Sequence, residues 1–360
     1  MENFEEYIRQ GEPNKSEKAK VWKTAIGLQQ VDGLKPSDYL IETARQNIEG
    51  DITIEEVKQR IDSYYKQHPT KTAEDRTEEA DKVSARIAEI LSEQAFTFSP
   101  AEYLSIHRRL FQGIYKFAGK IRDYNITKQE WVLDGETVLY GSADSLKSTL
   151  EYDFEQEKKF NYKGLSQQET IEHIVYFISY LWQIHVFGEG NTRTTAIFLI
   201  KYLRTCGFKV NNELFAQHSW YFRNALVRAN YKNYAKNIHP NNEFLLRFFE
   251  NLLLEENHIL MNREIHVHFA DTIKVKIDTI KAQNDTIKSK IDTIKFQNDT
   301  INDTVFSLIK QNNKIKARGI SERLNISLST AKRKIKELKE QEIIERIGSN
   351  KTGHWKIMGK

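Results

Sequence analysis

The sequence predicts a mainly α-helical protein built in several parts. Glycine and proline are scarce, with 16 and 5 residues among 360, so few positions interrupt helices. Two strongly apolar runs, Ile171 to Ile184 and Thr194 to Tyr202, have the length and composition of buried helices. Nearer the C-terminus, heptads that start at Asp271 precede a basic segment with the pattern of short helices and a β-hairpin.

Composition and charge limit the class of protein. The 54 Lys and Arg side chains nearly balance the 50 Asp and Glu side chains, but their distribution is uneven. Residues 305–360 contain 14 basic and 5 acidic side chains, a net charge of +9, which leaves −5 for the remainder. A basic tail on a mildly acidic body favours a nucleic-acid partner. One cysteine, no secretory leader and no membrane-length apolar run predict a cytoplasmic protein without membrane contact.

A glycine-containing loop between the two apolar helices carries the candidate chemistry. It reads HVFGEGNTR over residues 185–193. A glycine turn that opens onto a helix start directs unpaired N–H groups and the positive end of the helix dipole at one point, which makes an anion cradle. Glu189 in such a cradle fits a divalent cation bound to the anion, and Arg193 can reach a second phosphate. His185 is a candidate base, because histidine titrates near neutral pH.

The spacing His-x-Phe-x-Glu-Gly-Asn-x-Arg resembles the signature of the Fic (Fic/Doc) family, most of whose members transfer AMP from ATP to a hydroxyl of a target protein. The resemblance implies a Fic-type helical bundle with ATP as substrate and Mg²⁺ as cofactor. It also implies that His185 is the catalytic base and that Glu189 holds the metal ion. The nucleotide-binding residues that it implies here are Gly188, Gly190, Asn191, Thr192 and Arg193.

Three positions of the loop depart from the family pattern. Val186 stands where proline is usual, and Thr192 replaces the usual Gly or Lys. The family often carries a second arginine three residues after Arg193, which it uses for the γ-phosphate and for autoinhibition, but this position is Ala196 here. We therefore expect γ-phosphate binding and its regulation to differ from the family pattern.

The N-terminal segment, residues 1–70, is polar with helical periodicity and contains an Ile-Glu-Gly turn at Glu49. This turn resembles the inhibitory helix of Fic proteins and their antitoxins, whose glutamate enters the ATP site. Arg45 stands where the inhibitory motif has Ser or Thr. The resemblance implies that Glu49 inhibits by opposing the γ-phosphate, with Arg193 as its remaining partner. An ordinary capped helix end with an exposed carboxylate is the alternative interpretation.

The predicted catalytic domain covers residues 71–265 and includes one β-hairpin. Two β-prone runs, 124–128 and 137–140, flank an Asp-Gly turn signal. In the Fic family this hairpin is a flap that binds a target segment as an extra strand, so the resemblance implies an exposed edge beside His185. A purely structural hairpin is the alternative. The flap residues expected to dock the target are Lys128, Trp131, Val132 and Leu133.

A later helix, around residues 220–231, is similar to the family helix that lines the nucleotide pocket. Such an aromatic row at helical spacing also fits a helix packed in the core. Its candidates for adenine or ribose contacts are Tyr221, Asn230 and Tyr231.

Residues 266–304 predict a heptad-repeat helical linker. Isoleucine recurs every seven residues from Ile273 to Ile301, and Ile alternates with Asn at the second core position. The alternation is typical of a coiled coil with a defined register, so this segment is a candidate for homo-oligomer contacts. A solvated helical spacer produced by tandem duplication is the alternative.

Residues 305–360 predict a winged helix-turn-helix domain, similar to those of bacterial transcription regulators. The expected helices cover 305–311, 317–324 and the recognition helix 329–338, followed by a wing over 343–357. Such domains bind DNA, with docking to another protein as the alternative use. The residues expected to contact DNA bases or phosphates are Ser329, Thr330, Lys332, Arg333 and Lys336.

The resemblance to the Fic family implies a protein adenylyltransferase that is autoinhibited by its N-terminal segment. Its expected substrate is a Ser, Thr or Tyr hydroxyl of a target protein, with the chain itself as a further candidate. Two alternatives stay open. Thr192 and Ala196 permit a Fic-fold transferase that uses another nucleotide or phosphate-linked group. A DNA-binding regulator could instead use the loop only to sense a nucleotide, although a sensor has no need of the base His185.

Overall fold

The computed structural model describes residues 4–70, 72, 75–210, 213–269, 304–349 and 353–358. The chain divides into two compact units, Met1–Ala270 and Asp271–Lys360. The described residues are mainly helical, and they form one sheet of two strands, so the predicted fold class is confirmed. None of their helices combines the length and apolar composition needed to cross a membrane. The heptad positions from Ile273 to Ile301 lie outside the described residues.

The first five helices and a 3-10 turn build one side of the first unit. Ser37 caps the third helix by accepting from the Leu40 N–H, and Thr53 and Glu56 form a reciprocal capping box at the start of the fourth. The second helix packs on the fifth and the tenth, so the N-terminal segment shares a core with the predicted catalytic domain. These elements are α1 (Glu5–Gln10), α2 (Pro13–Gly27), a 3-10 turn (Leu28–Asp32), α3 (Asp38–Glu49), α4 (Ile54–Gln67) and α5 (Thr77–Ser92).

Seven further helices complete this unit around a central pair. The pair is formed by α8 and α9, whose apolar sequences are buried along most of their length. A capping box of Ser166 and Glu169 starts α8, which packs against α7, α9, α10 and α11. The loop of residues 185–190 is thus fixed at both ends. The helices are α6 (Pro100–Phe111), α7 (Leu146–Lys159), α8 (Gln167–Ile184), α9 (Asn191–Thr205), α10 (Glu213–Asn230), α11 (Glu243–Leu253) and α12 (Asn262–Ile265).

The flap differs from the expected β-hairpin, because the runs 124–128 and 137–140 form no strand ladder. The Glu130 N–H donates to the Glu136 carbonyl at 2.9 Å, and a 3-10 turn over Trp131–Leu133 connects the two arms. Side chains nevertheless alternate, with Val138 buried and Leu139 78% exposed. The alternating sequence pattern therefore predicted correctly which side chains are buried, but it did not predict that the two runs remain unpaired.

The second unit is a winged helix, as predicted. A helix over residues 304–311 (α13) precedes α14 (Ala317–Leu324) and α15 (Leu328–Glu340). The wing consists of β1 (Ile344–Ile347) and β2 (His354–Ile357), which pair antiparallel with Ile344 opposite Ile357. A separate small core holds these elements together, and its buried members are Val305, Ile309, Ile315, Ile320, Ala331, Ile335, Leu338 and Ile344.

Candidate active site

His185 lies where α8 ends, with its backbone in the left-handed region at φ 52° and ψ 56°. Its Nδ1 is 3.2 Å from the Trp182 carbonyl oxygen, so Nδ1 carries the proton and donates. Nε2 is buried and has no hydrogen-bond partner among the described residues. Burial, together with the charge of Lys128, holds the pKa of His185 well below its usual value of 6.5. The side chain is therefore a neutral imidazole with an unused lone pair.

Arg122 fixes the conformation of His185 through main-chain carbonyls. Its guanidinium is 5% exposed, and Nε donates to the His185 carbonyl at 2.8 Å. Other N–H groups of the same side chain donate to the carbonyls of Tyr124 and Gly141, one on each arm of the flap. The Arg122 main-chain N–H also donates to the Val186 carbonyl at 2.9 Å. One side chain thus joins the loop and both arms of the flap.

A second set of contacts fixes the middle of the loop. The Phe187 N–H donates to Asn191 Oδ1 at 3.0 Å, and Asn191 Nδ2 donates back to the Phe187 carbonyl at 2.8 Å. The Phe187 ring is fully buried and stacks on the imidazole of His107, with centroids 3.6 Å apart. Asn191 therefore holds the loop closed, while Phe187 anchors it in the core.

His107 is a positioning residue that the sequence pattern did not reveal. Its Nδ1 accepts from the Gly119 N–H at 2.8 Å, so the proton is on Nε2, which donates to the Glu189 carbonyl at 3.0 Å. Burial lowers the pKa of His107 to about 4. The neutral ring therefore bridges the Fic-like loop and the turn that leads into the flap.

The predicted anion cradle corresponds to the start of α9. Gly190 precedes the helix with φ 78°, and a Cβ at this position would lie 2.4 Å from the Phe111 ring. A Cβ on Gly188 would meet the Tyr124 hydroxyl at 2.4 Å. The first N–H groups of α9 have no acceptor within the helix and point with its positive dipole end at the same space. At both glycines, a larger residue would require the neighbouring aromatic side chain to move.

Glu189 faces the cradle and fits a cation site. Its carboxylate is 34% exposed and lies 3.2 Å from the ammonium of Lys128, which places a positive charge beside it. The described residues contain no cluster of three His, Cys, Asp or Glu side chains arranged to hold a metal ion. A Mg²⁺ ion at Glu189 would therefore take its other ligands from phosphates and water, which is how proteins commonly bind this ion.

Arg193 is completely buried and held by acidic and amide groups. Its Nη2 lies 2.8 Å from Asp32 Oδ2 and 2.7 Å from Glu79 Oε1, and Nη1 donates to Gln29 Oε1 at 3.0 Å. Burial alone would lower the pKa of Arg193, but the charge of Asp32 and its other partners raise it. Its Nε is buried without a partner among the described residues. The guanidinium is thus charged, and the N-terminal segment supplies two of its partners, Asp32 and Gln29.

Comparison with known proteins identifies this region. Residues 97–203 match the family model described as the Fic/DOC family. They form a Fic domain. Residues 305–345 match the model described as winged helix-turn-helix DNA-binding.

Two curated relatives match part of this chain. Protein adenylyltransferase VbhT of Bartonella schoenbuchensis is 27% identical over 106 residues, which cover 29% of this chain and 21% of VbhT. A protein adenylyltransferase of Bartonella henselae is 25% identical over 142 residues, or 37% of this chain and 26% of the relative. The match thus spans about a fifth to a quarter of the length of these relatives.

Solved structures of Fic proteins are similar at low identity. A Fic family protein from Desulfovibrio desulfuricans G20 is 12% identical, with a TM-score of 0.43, covering 99% of this chain and 94% of that one. The N-terminal FIC domain of the Bep8 protein from Bartonella sp. 1-1C is 18% identical, with a TM-score of 0.41, covering 52% and 88%.

The structure does not bring Glu49 to the Fic motif. The Glu49 carboxylate lies 2.8 Å from the Lys15 ammonium, and Lys15 and the Tyr7 hydroxyl lower the pKa of Glu49. Gly50 ends α3 in the left-handed conformation, as predicted, so this turn is a capped helix end. Asp32, also followed by a glycine, lies instead beside Arg193. The expectation that Glu49 is the inhibitory residue is therefore corrected, because packing directs a different acidic turn to the motif.

Four predicted nucleotide contacts are used for packing. The Thr192 hydroxyl accepts from the Trp182 indole N–H at 3.0 Å and faces the core, although its backbone N–H still belongs to the helix start. Tyr221 is 1% exposed. Asn230 Nδ2 donates to Ser179 and to the Leu226 carbonyl, which ties α10 to α8. Tyr231 donates to Glu136 at the base of the flap. All four residues are buried, with exposures of 8% or less.

The flap residues divide into two groups. Val132 and Leu133 are buried in the core, and the Val132 carbonyl accepts from the Val267 N–H at 3.0 Å, so the prediction that their side chains dock a target is corrected. Trp131 is 52% exposed, and Lys128 pairs with Glu189. Only the latter two side chains are accessible for target contacts.

The winged helix presents the predicted basic face. Lys332, Arg333 and Lys336 are exposed on α15, although Arg333 and Lys336 lie 3.5 Å from glutamates one helical turn later. The helix begins at the cap Ser327, whose hydroxyl is 2.8 Å from those of Ser329 and Thr330. The start of α15 thus carries the hydroxyls of Ser329 and Thr330 beside exposed basic side chains.

Proposed function

We propose that the Fic domain transfers AMP from ATP to a Ser, Thr or Tyr hydroxyl of a target protein, with the chain itself as a further acceptor. The observation that carries this proposal is the neutral, buried imidazole of His185, whose Nε2 lone pair is unused. His185 begins the loop whose glycines and following helix start support the proposed anion cradle. A base next to a phosphate site supports group transfer, whereas a nucleotide sensor needs only the cradle.

The reaction follows from these positions. His185 Nε2 removes the proton of the acceptor hydroxyl, whose oxygen forms a bond to the α-phosphorus of ATP. The bond between the α-phosphorus and the bridging oxygen breaks, and pyrophosphate leaves. The N–H groups at the start of α9 stabilise the charge that develops on the α-phosphate. Glu189 would hold Mg²⁺, which, when bound, neutralises charge on the phosphates.

We also propose that the N-terminal segment inhibits this reaction through Asp32. The 3-10 turn Leu28–Asp32 brings this carboxylate to 2.8 Å from Arg193, and Gln29 of the same turn accepts from the same guanidinium. ATP would have to displace these groups before a phosphate could bind Arg193. This assignment keeps the predicted autoinhibition but transfers it from Glu49 to Asp32.

The winged helix supports a second function, which is DNA binding. Its net charge, the exposed side chains of Lys332, Arg333 and Lys336, and the match to a DNA-binding family model all favour this use. We propose that the second unit binds DNA while the first unit catalyses transfer.

The decisive test for transfer uses ATP labelled on the α-phosphate. Wild type and His185→Ala are incubated with Mg²⁺ and the labelled ATP, and intact mass is measured. We expect an AMP-sized increment on the wild-type chain only, and a larger one with Asp32→Ala. Absence of the increment on both wild type and Asp32→Ala, with or without a cell extract as a source of targets, would overturn AMP transfer. An increment on His185→Ala would overturn the role of the base.

A further inference from the structure

Glu79, at the start of α5, connects two arginines from different parts of the Fic unit. Its Oε1 accepts from Arg193 Nη2 at 2.7 Å and from Arg76 Nη2 at 2.8 Å, and the Tyr115 hydroxyl donates to the same oxygen at 2.7 Å. Arg76 Nε donates to the other carboxylate oxygen at 2.9 Å. Because the two guanidinium groups end on one oxygen, they are immediate neighbours.

The charges at this point are arranged as in an anion site. Two buried or half-buried guanidinium groups repel each other unless negative charge lies between them, and here Glu79 and Asp32 supply it. Burial would raise the pKa of Glu79, but the hydrogen bonds of Arg76 and the charge of Arg193 lower it, so the carboxylate is ionised. Another anion can therefore replace the Asp32 carboxylate beside these two arginines.

Open space lies next to this pair. A cavity of about 400 Å³ is lined by residues 30–33, Arg76, Trp220 and Arg223. Arg76 is 35% exposed toward solvent, unlike the buried Arg193, whose Nε has no partner among the described residues. Arg223 is only 15% exposed and is bound through both Nη atoms to the buried carboxylate of Glu130. Arg76 is also bound, by Glu79 and the Tyr115 hydroxyl through Nε and Nη2, but it is the more exposed of the two arginines. Arg76 is therefore the cation of this cavity that can bind a ligand.

We propose that Arg76 binds the phosphates of ATP beyond the α-phosphate, in the role for which position 196 of α9 offers only an alanine. This inference rests on the proposed nucleotide-dependent function. When Asp32 leaves, a phosphate oxygen occupies its place beside Arg193, and the chain of phosphates extends into the cavity toward Arg76. Arg76 can then turn its planar guanidinium from Glu79 to two phosphate oxygens, while Glu79 keeps its bond to Arg193.

The test measures nucleotide binding by calorimetry with ATP, ADP and AMP in the presence of Mg²⁺. The full chain carries Asp32→Ala, so that the N-terminal carboxylate does not compete. Arg76→Gln is compared with Arg109→Gln, which removes an arginine of equal exposure, 35%, that forms a similar pair with Glu93 outside the cavity. Thermal unfolding establishes that both variants fold.

We expect Arg76→Gln to weaken ATP and ADP binding about tenfold or more, as the loss of a charge-assisted hydrogen bond predicts, and to leave AMP binding unchanged. Arg109→Gln should change none of the three affinities. Equal weakening of all three nucleotides would show that Arg76 only supports the fold, and unchanged ATP binding would equally overturn the inference. The α-phosphate labelling assay on the same proteins separates the two proposals, because transfer without any effect of Arg76→Gln leaves the proposed function in place. Nucleotide binding that depends on Arg76, without any AMP transfer, would support the inference and overturn the proposed function.

Discussion

Arg122 Nε donates to the main-chain carbonyl of His185 at 2.8 Å, and this bond holds the base in a left-handed conformation that non-glycine residues rarely adopt. The cost of such a backbone is on the order of 1–3 kcal/mol, so the surrounding contacts must maintain it. Arg122 supplies several of these contacts through the main-chain carbonyls of His185, Tyr124 and Gly141.

Arg122→Lys should therefore lower kcat about tenfold or more while changing the KM for ATP little, because a lysine cannot bind the separate carbonyls with a planar fork. Initial rates with α-labelled ATP measure this. Arg204→Lys is the control, since Arg204 also donates to a carbonyl, that of Leu91, but far along α9 from the loop. A KM effect without a kcat effect would contradict the positioning role.

Asp32→Ala should raise the rate of labelling about fivefold or more, because it removes a carboxylate that competes with phosphate for Arg193. Glu49→Ala is the matched control, as both residues precede a glycine in the N-terminal segment, and it should leave the rate unchanged. The opposite ranking of the two variants would return the inhibitory role to Glu49.

His107 makes stability depend on pH. Its folded pKa of about 4 lies below the unfolded value of 6.5, so the unfolded chain binds the extra proton between these values. The contribution of His107 to the free energy of unfolding is fully present above pH 6.5, and it falls by about 3 kcal/mol as the pH drops toward 4. Urea unfolding of wild type at pH 7.5 and 4.5 should show this loss, and His107→Gln should show a smaller one. An equal loss in both proteins would exclude His107 as its source.

The winged helix should bind DNA through α15. Alanine at Lys332, Arg333 and Lys336 together should weaken DNA binding by the full chain and reduce the slope of log K against log salt by about 0.9 for each lost phosphate contact. Lys310→Ala, on α13, is the control. AMP transfer should be the same in all of these proteins. Unchanged DNA retention in the triple variant would assign this face a different partner.

Local features of the site could be predicted from the sequence, because they depend on neighbours in the chain. The loop between two apolar helices places His185, Glu189 and Gly190 together by connectivity alone. The winged helix was predictable for the same reason, since its elements are short and contiguous. The boundaries of α14 agree with the predicted 317–324.

Features set by distant packing could not be predicted. Asp32 and Glu49 have the same acidic-glycine pattern, and only the packing of α2 on α5 and α10 decides which one reaches Arg193. Tyr221 and Asn230 lie on a helix whose pattern cannot show which face the core covers. Arg122 and His107 act on main-chain groups, which leave no signature in residue spacing.

The contact between Asp32 and Arg193 makes the N-terminal segment a ligand carried by the same chain. If ATP and this segment compete for one guanidinium, as we propose, their affinities are linked by thermodynamic reciprocity. Any molecule that draws residues 28–32 away would tighten ATP binding, and bound ATP would in turn make that segment easier to capture by the same factor. Enzyme activity would then increase when a molecule binds the released segment. The ATP concentration would determine how much of that molecule is needed.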